Sequence, residues 1–319
     1  AHYAMFISVT LYLTDVVGFD DVEAAWIGGF FTAGLYFLPP FTGAFADRIG
    51  FRNGILLAFA LLTVGYFTLG VLPYKLAVLP AFVIVMLGGS FIKSIITGTV
   101  AKSSDASTRA RAFSIFYGMV NIGSFTGKTA AYPLRVSLGV EAVNFYAAGM
   151  TLLALVTVYL FYRGMDIQGD NKPIREVWNG FLRVLRNTRL VVLILIVAGF
   201  WMIQQQMYAT MPKYVLRTVG AGAAPEWIAN VNPLVVVSFV LLITQLMRKR
   251  KAIQSILVGM LLMPLSALTM ASSPILASRF GDAVPLILGL SAHPVTVVLV
   301  VGIMIQGLAE CFISPRYLE

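Results

Sequence analysis

Charge and sulfur chemistry are scarce in this chain. Of its 319 residues only 12% are Asp, Glu, Lys or Arg, about half the share found in soluble domains. A single cysteine, Cys311, and two histidines, His2 and His293, exclude a disulfide framework and a Cys/His metal cluster. No metal and no cofactor is expected. No glycine-rich phosphate loop follows a strand pattern, and no nucleophile, base and orienting group occur together, so the sequence does not read as an enzyme. The formal charge of +9 does not imply a nucleic-acid partner, because the basic residues sit in short breaks between apolar runs instead of forming one patch.

What is abundant is apolar surface: 59% of residues are hydrophobic, and mean hydropathy is +0.86. These residues come in runs of about twenty, the length that crosses the hydrocarbon of a bilayer as a helix. Backbone groups find no water there, so each run must satisfy its own hydrogen bonds, and the fold is all-α and membrane-integral. Ten runs are predicted, near 1–14, 24–45, 52–72, 76–101, 111–134, 139–162, 189–212, 228–247, 252–273 and 295–317. The first is short of a full crossing, so its beginning is expected upstream of Ala1, and two further helices are expected after Glu319.

Lys and Arg are retained on the cytoplasmic side of a membrane, so their loop distribution gives the topology. One set of alternate loops holds Arg48 and Arg52, then Lys102, Arg109 and Arg111, then Lys172, Arg175, Arg183, Arg186 and Arg189, then Arg248 through Lys251. The first loop of the other set is acidic, with Asp15, Asp20, Asp21 and Glu23. The amino terminus is therefore read as cytoplasmic. A bundle over 1–162, a polar cytoplasmic linker over 163–188 and an incomplete bundle over 189–319 match a transporter built from two related halves. Within the linker, Ile174, Val177, Trp178, Phe181, Leu182 and Leu185 recur at helical spacing opposite Arg175, Asn179, Arg183 and Arg186. The pattern fits an amphipathic helix at the inner interface, or else a solvated linker helix.

An ionised group at membrane depth is costly, about 2.5–3.5 kcal/mol even on insertion scales, and such groups are commonly functional. Away from the ends of the predicted runs, the only charged residues are Glu310, Lys93 and Lys128. Lys93, in GGSFIKSIITG, is suited to hold a substrate carboxylate or to pair with a titrating carboxylate; a structural ion pair is the other reading. Glu310, in QGLAECFISP, is suited to bind an amine or to titrate, or else it is a helix-end residue reaching water. Lys128, in GSFTGKTAAYP, either lines a cavity or extends its stem to the interface. Gln204, Gln205 and Gln206 cover most of a helix circumference, so at least one must face a wet site or another helix. With Asn121 and Asn232 they serve either a solute or ordinary interhelical hydrogen bonds.

GAFADRIGFR, Gly43–Arg52, resembles the GxxxDRxGxR loop of the major facilitator superfamily, in which Asp47, Arg48 and Arg52 would form charge pairs that break and reform as the halves rock. FSIFYGMVNIGSF, Phe113–Phe125, is similar to the helix 5 signature of the proton-coupled oligopeptide transporters, with Gly118 where a larger apolar residue is usual. GGSFIK, FWMIQQQ with the later VNPL, and AECFISP agree with that family in order. The resemblance implies a major facilitator fold of two six-helix bundles, ten of whose twelve helices are present. It makes Lys93 the carboxylate-binding or coupling lysine and Glu310 the ligand of the substrate amine, with Asn121, Asn232, Gln205, Tyr3 and Trp201 in the pocket.

Four departures accompany the resemblance. The family's ExxER motif would lie before Ala1, the arginine of its tyrosine-rich helix 1 motif is replaced by Phe6, and its helix 7 glutamate by Gln205. Lys128 stands where the family often has proline.

The reading is a monomeric secondary transporter, in a bacterial inner membrane, that moves a peptide-like or other small zwitterionic solute by alternating access. Lys93 and Lys128 are expected on one wall of the cavity, and Glu310 with the glutamines on the other. Protonation of Glu310, or of a carboxylate on the first helix, would release its lysine pairing and drive reorientation. Expected partners are the solute, protons and the lipid bilayer. An exporter of amphiphilic compounds and a non-transporting nutrient sensor are the alternatives.

Overall fold

The computed structural model describes residues 1–105, 109–162, 174–281, 283–285 and 291–314, with the side chains of 109–111, 114 and 174 outside that description. Every predicted run is mainly helical over its described residues, with breaks inside runs at Leu38, Thr210 and Asn230. The first part of the predicted linker, 163–173 with Lys172, and the tail of the tenth run lie outside it. Seven helices among the described residues are long and apolar enough to cross a membrane, and the chain is a multi-pass membrane protein.

The chain divides into two compact units, 1–119 with 137–195, and 120–136 with 196–319. In the first, α1 (His2–Leu11) continues into a π-helical turn, Tyr12–Val16, and after the positive-φ Gly18 the capping box of Asp20 and Glu23 starts α2 (Asp21–Phe37). Pro39 and Pro40 cannot supply the amide donors that would continue α2, so the second run is broken into α2 and α3 (Pro39–Ile49). Gly50, at φ 83°, turns the chain into α4 (Phe51–Val71), followed by α5 (Lys75–Lys102).

The long α6 (Arg109–Leu138) runs through both units, its middle and later turns belonging to the second. Its polar content, Asn121, Lys128 and Arg135 among it, keeps it below the apolarity of the other spans. The first unit is completed by α7 (Glu141–Phe161), the amphipathic α8 (Ile174–Leu185) and the opening turns of α9 (Thr188–Ala209). Here α4 packs on α5 and α7. A Cβ on Gly88 would sit 2.9 Å from the Ala58 carbonyl oxygen, so only glycine permits this approach of α5 to α4.

The second unit contains the rest of α9, then α10 (Met211–Thr218), α11 (Pro225–Ala229), α12 (Val231–Met247), α13 (Ala252–Ala271), α14 (Ser273–Phe280) and α15 (Pro294–Ile313). A short antiparallel pair, β1 (Val284–Pro285) and β2 (Ser291–Ala292), precedes α15 in register Val284 to Ala292. The imidazole Nδ1 of His293 accepts the Val295 amide at 3.2 Å and caps α15, whose first residue is Pro294. The α13–α15 contact repeats the device of the first unit: a Cβ on Gly259 would lie 2.7 Å from the Ala309 carbonyl oxygen.

Candidate functional site

Glu310 sits on α15 with its side chain buried, and its Oε2 accepts two amide hydrogen bonds, from Gln204 Nε2 on α9 at 3.0 Å and from Asn232 Nδ2 on α12 at 3.1 Å. Close packing of α15 on α12 places these groups together: a Cβ on Gly307 would meet Val235 at 3.0 Å. Two neutral donors solvate a carboxylate without cancelling its charge, which leaves Glu310 able to answer a cation or a proton.

Lys128 is fully buried in the same unit. Its Nζ donates to the Ala229 carbonyl oxygen at 2.9 Å, lies 5.5 Å from the ring centre of Tyr208, and feels the charge of Glu310. The sequence offered two readings for this lysine; its stem does not run out to the interface. Nor does it share a unit with Lys93: the middle of α6 groups with 196–319, so Lys128 and Glu310 occupy one unit.

Asn121 is buried in this unit as well. Of the three glutamines, Gln204 meets Glu310, Gln205 is half-buried with its Oε1 unpartnered among the described residues, and Gln206 is exposed. The carbonyl oxygens of Gln204, Asn230 and Gln306 are likewise buried without a protein donor. Such groups call for water or a ligand. Trp201 packs against the apolar cluster of Phe200, Met263, Ala309 and Ile313, one turn from Gln204 and Gln205. A cavity of about 380 Å³ in this unit is lined by Met202, Met207, Met211, Met270, Tyr214 and Gln306 among others, and Glu310 is not in its wall.

In the first unit the ammonium of Lys93 stands 3.2 Å from the centre of the Tyr36 ring. A desolvated cation on an aromatic face is stabilised by about 2 kcal/mol, so the half-buried Lys93 is held without a carboxylate partner among the described residues. Nearby, Tyr3 and His2 meet edge to face at 5.5 Å, His2 stacks on Phe6 at 5.4 Å, and the Tyr66 hydroxyl lies 3.5 Å from His2 Nδ1. Tyr36 and Tyr208 were not singled out from the sequence; Gln204 was singled out only as one of three consecutive amides, and His2 only as one of two histidines.

Asp47 and Arg52 of the Gly43–Arg52 loop motif have separate partners in this structure. Asp47 pairs with Lys102 at 3.7 Å. Arg52 donates Nε to the Tyr162 carbonyl oxygen at 2.8 Å and Nη2 to that of Tyr159 at 3.0 Å. It therefore caps the carbonyl end of α7, where the helix itself supplies no donors. Arg48 is exposed with no ion pair among the described residues.

One buried charge pair escaped the sequence census. Arg135 Nε donates to Glu226 Oε1 at 2.5 Å and Nη2 to Oε2 at 3.2 Å, with the two side chains 8% and 1% exposed. Arg135 also reaches the Ala223 carbonyl oxygen at 2.8 Å, Tyr132 donates to Gly222, and Asn230 donates to Thr129 Oγ1 at 2.8 Å. A zipper of polar contacts thus binds the later turns of α6 to the α10–α12 connection. The predicted fifth and eighth runs ended one residue before Arg135 and began two after Glu226, and helix ends are the least certain part of such a reading.

The family model described as Major Facilitator Superfamily matches residues 1–310. The multidrug resistance protein MdtH of Photorhabdus laumondii is 26% identical over 227 residues, 71% of this chain and 56% of that protein, and MdtH of Salmonella typhi is 25% identical over 72% and 56%. The chain thus spans little more than half the length of these relatives. Among solved structures, a POT family transporter in complex with 5-aminolevulinic acid superposes with a TM-score of 0.74 at 19% identity, covering 99% of this chain and 79% of that one. A peptide transporter POT in complex with sulfate gives 0.75 at 18% identity, over 98% and 77%. The ten helical runs, the Gly43–Arg52 loop and the family match together establish that the chain belongs to the Major Facilitator Superfamily.

Proposed function

We propose that this protein is a secondary transporter that moves a small polar or zwitterionic solute of peptide-like chemistry across a bacterial inner membrane by alternating access, driven by a proton gradient. The observation that carries the reading is Glu310, a buried carboxylate on an apolar helix, held by two neutral amides in the same unit as the buried Lys128. Glu310 binds the solute's ammonium or takes the proton, and Lys93, resting on Tyr36, binds its carboxylate or couples to the proton. Asn121, Asn232, Gln205, Tyr3 and Trp201 contribute polar and aromatic contacts, and Lys128 tunes the charge of the Glu310 site. Asp47, Arg48 and Arg52 act in gating at the cytoplasmic loop. The protein works as a monomer with its amino terminus in the cytoplasm, from two bundles over 1–162 and 189–319 joined by the linker over 163–188.

Reconstituted in liposomes, the full-length protein is expected to accumulate a labelled dipeptide or amino-acid analogue when the outside is acidified, and Lys93→Ala and Glu310→Gln to abolish the acceleration. Uptake indifferent to the pH gradient and to both substitutions would overturn the scheme. A second reading, an exporter of amphiphilic compounds, is favoured by the likeness to MdtH. Drug resistance lost on deletion with peptide uptake intact would select it.

A further inference from the structure

The linker helix α8 does more than connect. Its Trp178 and Phe181 rings close a four-membered aromatic cluster with Phe37 and Phe41: Phe37–Phe41 at 5.6 Å, Phe37–Phe181 at 5.9 Å, Phe41–Trp178 at 6.1 Å and Trp178–Phe181 at 5.7 Å. Phe37 is the last residue of α2 and Phe41 lies in the first turn of α3, so the cluster straddles the break at Pro39 and Pro40. Those prolines leave the carbonyls of Leu35 and Tyr36 without their helical donors, and the ladder restarts with the Phe41 and Thr42 amides on the Leu38 oxygen. Tyr36, at the weakened turn, is the residue whose ring carries the Lys93 ammonium.

The outward side of α8 is prepared for a surface of opposite charge. Arg175 and Arg183 on α8 and Arg186, the residue just past its end, whose amide still bonds the Leu182 carbonyl, are all exposed and at helical spacing fall within about 80° of one another. The flanking apolar side chains Trp178 and Leu185 remain 43% and 50% exposed despite the aromatic cluster. A solvated linker has no use for an exposed tryptophan and leucine beside a row of arginines. A leaflet containing anionic phospholipid supplies phosphates for the row and acyl chains for the apolar edge.

We propose that α8 is a strap held down by anionic phospholipid, and that its hold fixes the proline break of the second span and with it the seat of Tyr36 on Lys93. Lipid contact stands on the geometry of α8 alone; the transport consequence rests on the role proposed for Lys93.

The test uses the full-length protein in liposomes of phosphatidylcholine with increasing phosphatidylglycerol, one or the other brominated. Tryptophan quenching is compared with that of Trp178→Phe, which isolates the Trp178 signal. Brominated phosphatidylglycerol is expected to quench Trp178 at a lower mole fraction than brominated phosphatidylcholine. Arg175→Gln and Arg183→Gln should each raise the half-maximal fraction about fivefold, and both residues are exposed, so folding is spared. Equal quenching by the two lipids, or none, overturns the proposal. Proton-driven uptake should rise severalfold with phosphatidylglycerol in the wild type and not in the triple variant with Arg186→Gln. Trp178 quenched selectively while uptake ignores lipid composition overturns the link to the proline break. Absence of uptake in every lipid strikes the transport reading instead, with the quenching result still deciding lipid contact.

Discussion

Replacing Arg135 by leucine would leave the Glu226 carboxylate, 1% exposed, without its guanidinium and the Ala223 carbonyl without a donor. Breaking one side of a buried ion pair costs about 3–5 kcal/mol, because the remaining charge is neither solvated nor paired. Glu226→Gln is milder: the amide oxygen still accepts one Arg135 hydrogen bond and Arg135 keeps Ala223, so about 1–2 kcal/mol is expected. In Arg135→Leu/Glu226→Leu the orphaned charge is gone, and much of the loss should be recovered, giving a coupling energy of about 2–3 kcal/mol. With Glu226→Leu as the second single variant, unfolding of the purified protein in mixed micelles, titrated with a denaturing detergent, measures all four corners of the cycle. Strict additivity, with Arg135→Leu within 1 kcal/mol of wild type, would mean that the pair is hydrated and that the α6 zipper contributes little.

Glu310→Ala should cost more stability than Glu310→Gln, by about 1–3 kcal/mol, since alanine strands the Gln204 and Asn232 amides while glutamine still offers an oxygen; the same unfolding titration reads the difference. Gly259→Leu and Gly88→Leu should each sharply lower the yield of folded protein, measured by size-exclusion chromatography, because side-chain atoms would enter the space of the Ala309 and Ala58 carbonyls. Asp47→Asn should change stability by less than about 1 kcal/mol, since its pair with Lys102 is long and partly exposed, so a loss of uptake in this variant would mark a role in gating and not in folding.

Helices and their order were legible because hydrocarbon length and the need to satisfy every backbone group leave one solution for each apolar run. The break at Pro39–Pro40 was equally written in the chain, although a hydropathy reading spans it as one run. What periodicity could not supply was the pairing of side chains across elements. That Gln204, not its neighbour Gln205, reaches Glu310 depends on the rotation of α9 against α15, and a run of three amides carries no such phase. Lys128 was visible as a charge at depth, but its assignment to the same unit as Glu310 required knowing that the middle of α6 packs with α10–α12. Tyr36 has no polar signature in sequence, since its ring and not its hydroxyl receives Lys93. Arg135 and Glu226 lay just outside the predicted runs, where a shift of two residues separates a loop charge from a buried pair.

The π-helical turn at Tyr12–Val16 makes this stretch tolerant in an unusual way. A π turn contains one residue more than an α turn needs, so deleting the exposed Asp15 can relax the helix to regular geometry while residues on either side keep their phase. Tyr12, whose hydroxyl holds the Leu69 carbonyl oxygen, would stay seated. The same single-residue deletion within α4 would turn everything beyond it by about 100° and exchange its lipid face for its packed one. Length variation among homologues should therefore be absorbed at this turn and be absent from α4.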